Sequence, residues 1–263
     1  VSTVIAWEMT GADLLKLRKK RSTLIWALVL ALAPVVIFFV VNAIEHGSNP
    51  ARYGPAGGSA NFKTGLSLLG GLFFGPLVAI LIGVEAGTAD TSAGVFRDLV
   101  VTGRSRLALF AARVPAALVM CWSVILSGYL LVLAGTFAFA SNLPTPSAAL
   151  VINGLGFLML ATGVLCVVAV GFSSLVASKP AAIIALIAWQ LVAGALIASI
   201  TSLGSARDWV LGQALSHFSP VEIEGGRHAS HVIMSGGTAL VVILVWLVVF
   251  LALGAWRTRT MDA

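Results

Sequence analysis

The sequence predicts an all-α integral membrane protein: six transmembrane helices preceded by a short helix lying in the membrane interface. Three observations lead there. Hydrophobic residues make up 59% of the 263-residue chain and charged residues only 10%, whereas a soluble domain has about a quarter of its residues charged. The apolar residues come in runs close to the length, about 20 residues, that a helix needs to cross about 30 Å of hydrocarbon. The charges gather at the ends of those runs, where cytoplasmic lysines and arginines set topology. A soluble fold is excluded, and the mean hydropathy of +1.03 agrees.

Residues 1–21 precede the first span. Val4, Trp7, Gly11, Leu14 and Leu15 share one helical face, with Glu8, Asp13, Lys16, Lys19 and Lys20 as more polar company. That pattern suits an interfacial helix, the alternative being an ordinary solvated one. The basic run Lys16–Arg21 then leads into an apolar span over 22–42, whose Pro34 is tolerable within a membrane. An early Glu8 and Asp13, and an apolar stretch this long, differ from a cleaved signal peptide, so the span is expected to be retained.

The remaining elements follow from composition. Glu45–Lys63, rich in glycine and proline, reads as an external loop. Span two, 64–84, carries Gly65, Gly70, Gly71, Gly75 and Pro76, which suit either close helix packing or a flexible pore-lining helix. The polar segment 85–106 follows on the inner side. Spans three to six are expected at 107–140, 148–177, 180–203 and 232–256, together making a six-span domain over 22–263. A short turn with Pro144 and Pro146 separates spans three and four, Ser178-Lys179-Pro180 separates spans four and five, and a polar external segment covers 204–231.

This layout places Lys16, Arg18, Lys19, Lys20, Arg21, Arg97, Arg104, Arg106, Arg113, Lys179, Arg257 and Arg259 inside, twelve of the sixteen basic residues. Arg52, Lys63, Arg207 and Arg227 lie outside. The positive-inside rule therefore puts both termini in the cytoplasm, and the chain is expected in the cell membrane.

Several chemistries are excluded or weakened. No basic face with interleaved aromatics supports nucleic-acid binding. The span centres lack Asp, Glu, Lys, Arg and His, which weakens a proton-coupled carrier without excluding one that uses carbonyls and hydroxyls. Gly171-Phe172-Ser173-Ser174 only partly resembles the serine motif of rhomboid proteases, and no later span holds a histidine. No HExxH and no phosphate-loop motif is present, so the chain has neither that metalloprotease site nor that ATPase machinery. Glu224, His228 and His231 have a spacing that a helix would bring to one face, but Gly225-Gly226 weakens that helix. No metal site is therefore expected. Cys121 and Cys166 sit inside apolar runs and read as small buried hydrophobes.

The inner segment 85–106 is the informative stretch. Asp90, Thr91 or Ser92 can cap a short helix that shows Val95, Phe96 and Leu99 on one side and Arg97 on another, ended by Gly103. Such a helix rests on lipid or docks into a partner's groove. Glu85 ending span two, then Gly87-Thr88, then Arg97-Asp98-Leu99, then Gly103-Arg104-Ser105-Arg106 starting span three, resembles the permeases of ABC-2 type transporters. Extra residues separate Gly-Thr from the arginine. Most of the chain shares the layout.

The resemblance implies an ABC-2, type V exporter-like architecture and a permease subunit exporting a hydrophobic or amphipathic substrate. Such permeases pair with a second copy or a similar chain. Each sits on a separate ABC ATPase subunit that holds ATP and Mg, no cofactor being bound by the permease. Glu85, Gly87, Thr88, Asp90, Gly94, Phe96, Arg97, Asp98 and Leu99 would couple to that ATPase, and Gly103, Arg104, Ser105 and Arg106 would anchor the inner surface. The segment 204–231 would be a hairpin dipping back from the outer face, with Trp209, Val210, Leu211, Leu215 and Phe218 on its apolar side. Spans two and five would line the route, with Gly70, Gly75, Ala185, Ala188 and Gly194 allowing movement. The competing reading is a six-span carrier driven by a gradient.

Overall fold

The computed structural model describes residues 3–71, 73–92, 105–176, 178–221 and 234–260, and every regular element among them is helical. Helix α1, Thr3–Lys19, turns through the single non-helical residue Lys20 into α2, Arg21–Ser48. Then come α3, Gly58–Gly70, and α4, Phe74–Ser92. Two long helices follow: α5, Arg106–Ala138, and α6, Ala148–Val176. Helix α7, Lys179–Ala188, passes through a π-helical turn, Trp189–Ala193, into α8, Gly194–Ser199. A 3-10 segment, Thr201–Trp209, and α9, Leu211–Ser216, precede α10, Gly236–Thr260.

Among the described residues, six stretches are long and apolar enough to cross a membrane: Arg21–Ser48, Gly58–Asp90, Arg106–Ala138, Ala148–Val176, Lys179–Ser199 and Gly236–Thr260. The six-span, all-helical fold is the one the sequence predicts. Its details differ in three places.

First, about half of the expected loop 45–63 is helix, because α2 runs on to Ser48 and α3 starts at Gly58. The non-helical part, 49–57, is tied down: the Gly57 amide donates to the Phe139 carbonyl at 3.0 Å and the Ser59 amide to the Pro144 carbonyl at 2.8 Å. Gly58, at φ 84°, makes the left-handed step between those two bonds.

Second, span two is two helices. Gly71 leaves the helical region at ψ −149°, and Pro76, in the first turn of α4, lacks the amide that a continuous helix would use. The lower piece then continues past Val84 to Ser92. Third, α1 does not present its apolar residues on one side. Leu14 and Leu17 pack on the core while Trp7 and Leu15 are exposed, and Asp13 shares the inward face.

Small residues decide the packing. Helix α2 buries Thr23, Ala27, Ala31, Val35 and Phe39, one residue in four, and leaves the rest of its surface open. Helix α4 places small residues one in four at Gly75, Ala79, Gly83 and Gly87: Ala79 is fully buried, Gly75 meets Leu69 of α3 and Thr162 of α6, and Gly83 and Gly87 pack directly on α6. A Cβ on Gly83 would lie 2.5 Å from the Cys166 carbonyl oxygen and 2.7 Å from the Ala169 methyl. That approach gives close van der Waals contact where hydrophobic driving force is absent. Helices α5 and α6 are stitched by two side-chain bonds, Tyr129 Oη to the Val151 carbonyl at 2.6 Å and Trp122 Nε1 to the Met159 carbonyl at 3.0 Å. At the other end of the bundle, Arg106 Nη1 donates to the Arg259 carbonyl at 3.3 Å. The start of α5 and the end of α10 therefore meet there, beside α1. We refer to this as the basic end.

Candidate functional site

The glycine register of α4 carries the helix past the apolar run, so the residues after Val84 enter the protein in helical order. Glu85, Thr88 and Asp90 are buried, at 2%, 1% and 4% exposure. Two carboxylates so placed must find cations, because an isolated buried charge is strongly unfavourable. They find them on three other helices and at the α1–α2 corner.

Glu85 accepts a hydrogen bond from Thr23 Oγ1 of α2 at 2.9 Å and pairs with Lys179 at the start of α7. Lys20, at the corner between α1 and α2, lies 3.8 Å from its other oxygen. Asp90, a turn further on, pairs with Arg113 of α5 at 2.8 Å and with Lys16 of α1 at 3.1 Å. Lys16 also holds Asp13 at 2.9 Å. Arg113 Nη1 and Ser174 Oγ both reach the Gly87 carbonyl at 3.5 Å, and Thr88 Oγ1 donates back to the Val84 carbonyl at 2.8 Å. One short piece of α4 thus joins α1, α2, α5, α6 and α7.

The pairs differ in strength. The Asp90 and Arg113 side chains are 6% and 4% exposed, and removing one partner of such a pair costs about 3–5 kcal/mol. Lys20 reaches water and contributes little. On α1, burial pushes the Asp13 carboxyl above its ordinary range, only partly offset by the hydrogen bond from Lys16. For Lys16, burial works against the charge, but Asp13 and Asp90 outweigh it and hold the ammonium above its usual value.

The cleft between these side chains is lined by Asp13, Lys16, Lys20, Glu85, Asp90 and Arg113 among others and has a volume of about 30 Å³. That is room for about two water molecules, not for a transported solute. The ion pairs and hydrogen bonds of the site tie α4 to five other helices.

The residues expected to couple to a partner separate into two groups. Glu85, Gly87, Thr88 and Asp90 face other helices of the same chain, so they present no surface for an outside protein to seat against. The glycine packing that carries α4 inward is the physical reason. Gly94, Phe96, Arg97, Asp98, Leu99, Gly103 and Arg104 lie outside the described residues. Of the expected anchors, Ser105 caps α5 by accepting from the Ala108 amide at 3.2 Å, and Arg106 reaches the end of α10.

The residues expected to line a route have different surroundings. Gly70 and Gly75 pack against α6, Ala185 and Ala188 are exposed, and Gly194 is buried beside Val210. In the segment expected as an outer hairpin, Val210, Leu211 and Leu215 are buried while Trp209 and Phe218 are exposed. Among the described residues no group of His, Cys, Asp or Glu could hold a metal; Glu224, His228 and His231 lie outside them.

Sequence reasoning missed the partners Asp13, Lys16, Thr23, Arg113 and Lys179. The signal was present in the spacing Gly75, Ala79, Gly83, Gly87, which crosses the assumed boundary at Val84 and keeps Asp90 in helical register.

The described residues form a six-span helical bundle with a charged junction at its basic end. Residues 12–205 match a family model described as "ABC-2 family transporter protein". The chain belongs to that family and is a multi-pass membrane protein of the permease type, which is not itself catalytic. No curated protein matches it.

Proposed function

We propose that the chain is the membrane subunit of an ATP-driven exporter of hydrophobic or amphipathic substrates. It works with a separate ATPase subunit that holds ATP and Mg, and it pairs with a second permease chain. The basic end faces the cytoplasm, so both termini lie on that side of the cell membrane, in keeping with the positive-inside rule. Residues 93–104 form the coupling segment, with Phe96, Arg97 and Leu99 seated in the ATPase.

The observation that carries this reading is the Asp90–Arg113 pair with its neighbours. The segment 93–104 is bounded by α4 and α5, and these two helices are locked together through Asp90 and Arg113 just inside both ends. A push on the segment therefore moves α4 and α5 as one piece, and takes α1 and α7 along through Lys16 and Lys179. The break after Gly70 and the π turn at Trp189–Ala193 give spans two and five points at which to bend. Spans two and five, with Gly70, Gly75, Ala185, Ala188 and Gly194, would line the route once they separate.

The test is a pull-down of the tagged chain from its native membranes in mild detergent, assayed for ATP hydrolysis, with Arg97→Glu alongside. ATPase activity recovered with the wild type and lost with Arg97→Glu is expected. A wild-type chain that emerges without ATPase, from membranes in which control complexes survive, overturns the reading.

A further inference from the structure

The basic run at the α1–α2 corner is divided by the fold. Lys16 and Lys20 turn inward to Asp13, Asp90 and Glu85. Arg18, Lys19 and Arg21 are exposed, and no carboxylate among the described residues pairs with them. Three cations thus stand within four residues of one another with no ion-pair partner among the described residues.

The surface beside them is apolar. Trp7 is 77% exposed and Leu15 57%, both on the side of α1 that turns away from the bundle, and Arg18 falls on the same side by helical spacing. On α2, just past Arg21, Ile25 is 57% and Trp26 61% exposed, and Val29 and Ile37 continue the open face along the span. Tryptophans at this position mark the headgroup level of a bilayer, and cations beside them meet lipid phosphate.

We propose that this corner is a binding site for an anionic phospholipid in the leaflet at the basic end. Arg18, Lys19 and Arg21 take the headgroup phosphate, and the acyl chains lie along Ile25, Trp26, Val29 and Ile37 of α2. Charge complementarity and continuity with the lipid-facing side of α2 select a lipid over an acidic protein, which would leave Trp7 and Trp26 in water. The site goes beyond the ATP-driven reading and does not depend on it. Its placement next to the Lys16–Asp90 and Lys20–Glu85 contacts means that a bound lipid holds the corner from outside while the ion pairs hold it from within.

The experiment is native mass spectrometry of the full chain in mild detergent, with equal amounts of phosphatidylglycerol and phosphatidylcholine carrying the same acyl chains. A cation near an anionic lipid surface contributes about fivefold in affinity, so three contribute about 100-fold. The wild type is expected to retain phosphatidylglycerol in preference by at least about tenfold after detergent competition. The Arg18→Gln/Lys19→Gln/Arg21→Gln chain should lose that preference, while Arg52→Gln/Lys63→Gln, with two cations removed from the opposite end, should keep it. If the triple variant does not fold, the wild type alone decides: its preference should collapse when salt is raised to about 0.5 M, where screening reaches within a few ångströms. Equal binding of both lipids by the wild type overturns the proposal. So does a folded triple variant that keeps the preference, or a salt-insensitive preference. Loss of a co-purifying ATPase in the triple variant with lipid preference intact would assign the cations to a protein contact and overturn it as well.

Discussion

Replacing Asp90 with asparagine tests the junction at its most buried pair. Asparagine keeps the shape of the side chain and removes its charge, so Arg113, 4% exposed at the side chain, is left without the carboxylate 2.8 Å away. Lys16 also loses Asp90 but keeps Asp13 and its access to water. The loss is therefore dominated by Arg113, which keeps the Gly87 carbonyl at 3.5 Å, and should be about 3 kcal/mol, the low end for breaking a buried ion pair. For a chain of this size that corresponds to a fall in unfolding temperature of about 6–12 °C. The assay is thermal unfolding of the purified chain in mild detergent, followed by the fraction that remains monodisperse after heating. A control separates charge from packing: Asp90→Leu/Arg113→Met removes both ions and should recover most of the loss, because apolar groups of similar volume replace buried ion pairs at little cost. An Asp90→Asn chain within about 1 °C of wild type, or a double variant as unstable as the single, would refute the reasoning.

Three further outcomes follow from the same geometry. Glu85→Gln should cost about 1 kcal/mol or less, because Lys179 and Lys20, 36% and 56% exposed, can both turn to water; the same thermal assay checks it. Asp13→Asn should be neutral or slightly stabilising at neutral pH, since burial raises the Asp13 carboxyl and its charged form is the disfavoured one. By the same sign, the stability Asp13 contributes is fully present below the ordinary aspartate range and is lost as pH rises through its raised value. A pH series on wild type and Asp13→Asn should thus converge at acid pH and separate above it. Gly83→Leu should force α4 away from α6 at the Cys166 carbonyl and lower stability by about 1–3 kcal/mol or more, read as a drop in folded yield and unfolding temperature.

Much of this fold was legible in the sequence because the membrane imposes a length and a composition. The apolar runs gave α2, α5, α6 and α10 with ends shifted by a few residues, and the uneven placement of arginine and lysine marked the basic end. Helix boundaries were less legible where polar residues are neutralised inside the protein. Glu85 and Asp90 read as the start of an exposed segment because sequence shows their charge but not Thr23, Lys179, Lys16 and Arg113 around them. The same reasoning misassigned the inward face of α1, where a helical face was assembled from Trp7, Leu14 and Leu15 although Leu14 packs inward beside Asp13 and Trp7 is left outside. The break in span two was signalled by Gly70-Gly71 and Pro76, but small residues serve close packing and chain interruption alike. Here they do both.

The central claim is that the junction carries the ends of α1, α4 and α5 as one body when the ATPase acts. It is tested by a distance between spin labels at Ala12 of α1 and Leu107 of α5, both exposed, on a chain with Cys121 and Cys166 replaced by alanine and diluted with unlabelled chain. Measured in the complex before and after trapping with ATP and vanadate, the distance should stay constant in the wild type and change in Asp90→Asn. A wild-type distance that shifts on trapping as it does in Asp90→Asn would show that Asp90 and Arg113 do not bind these helices into one moving unit.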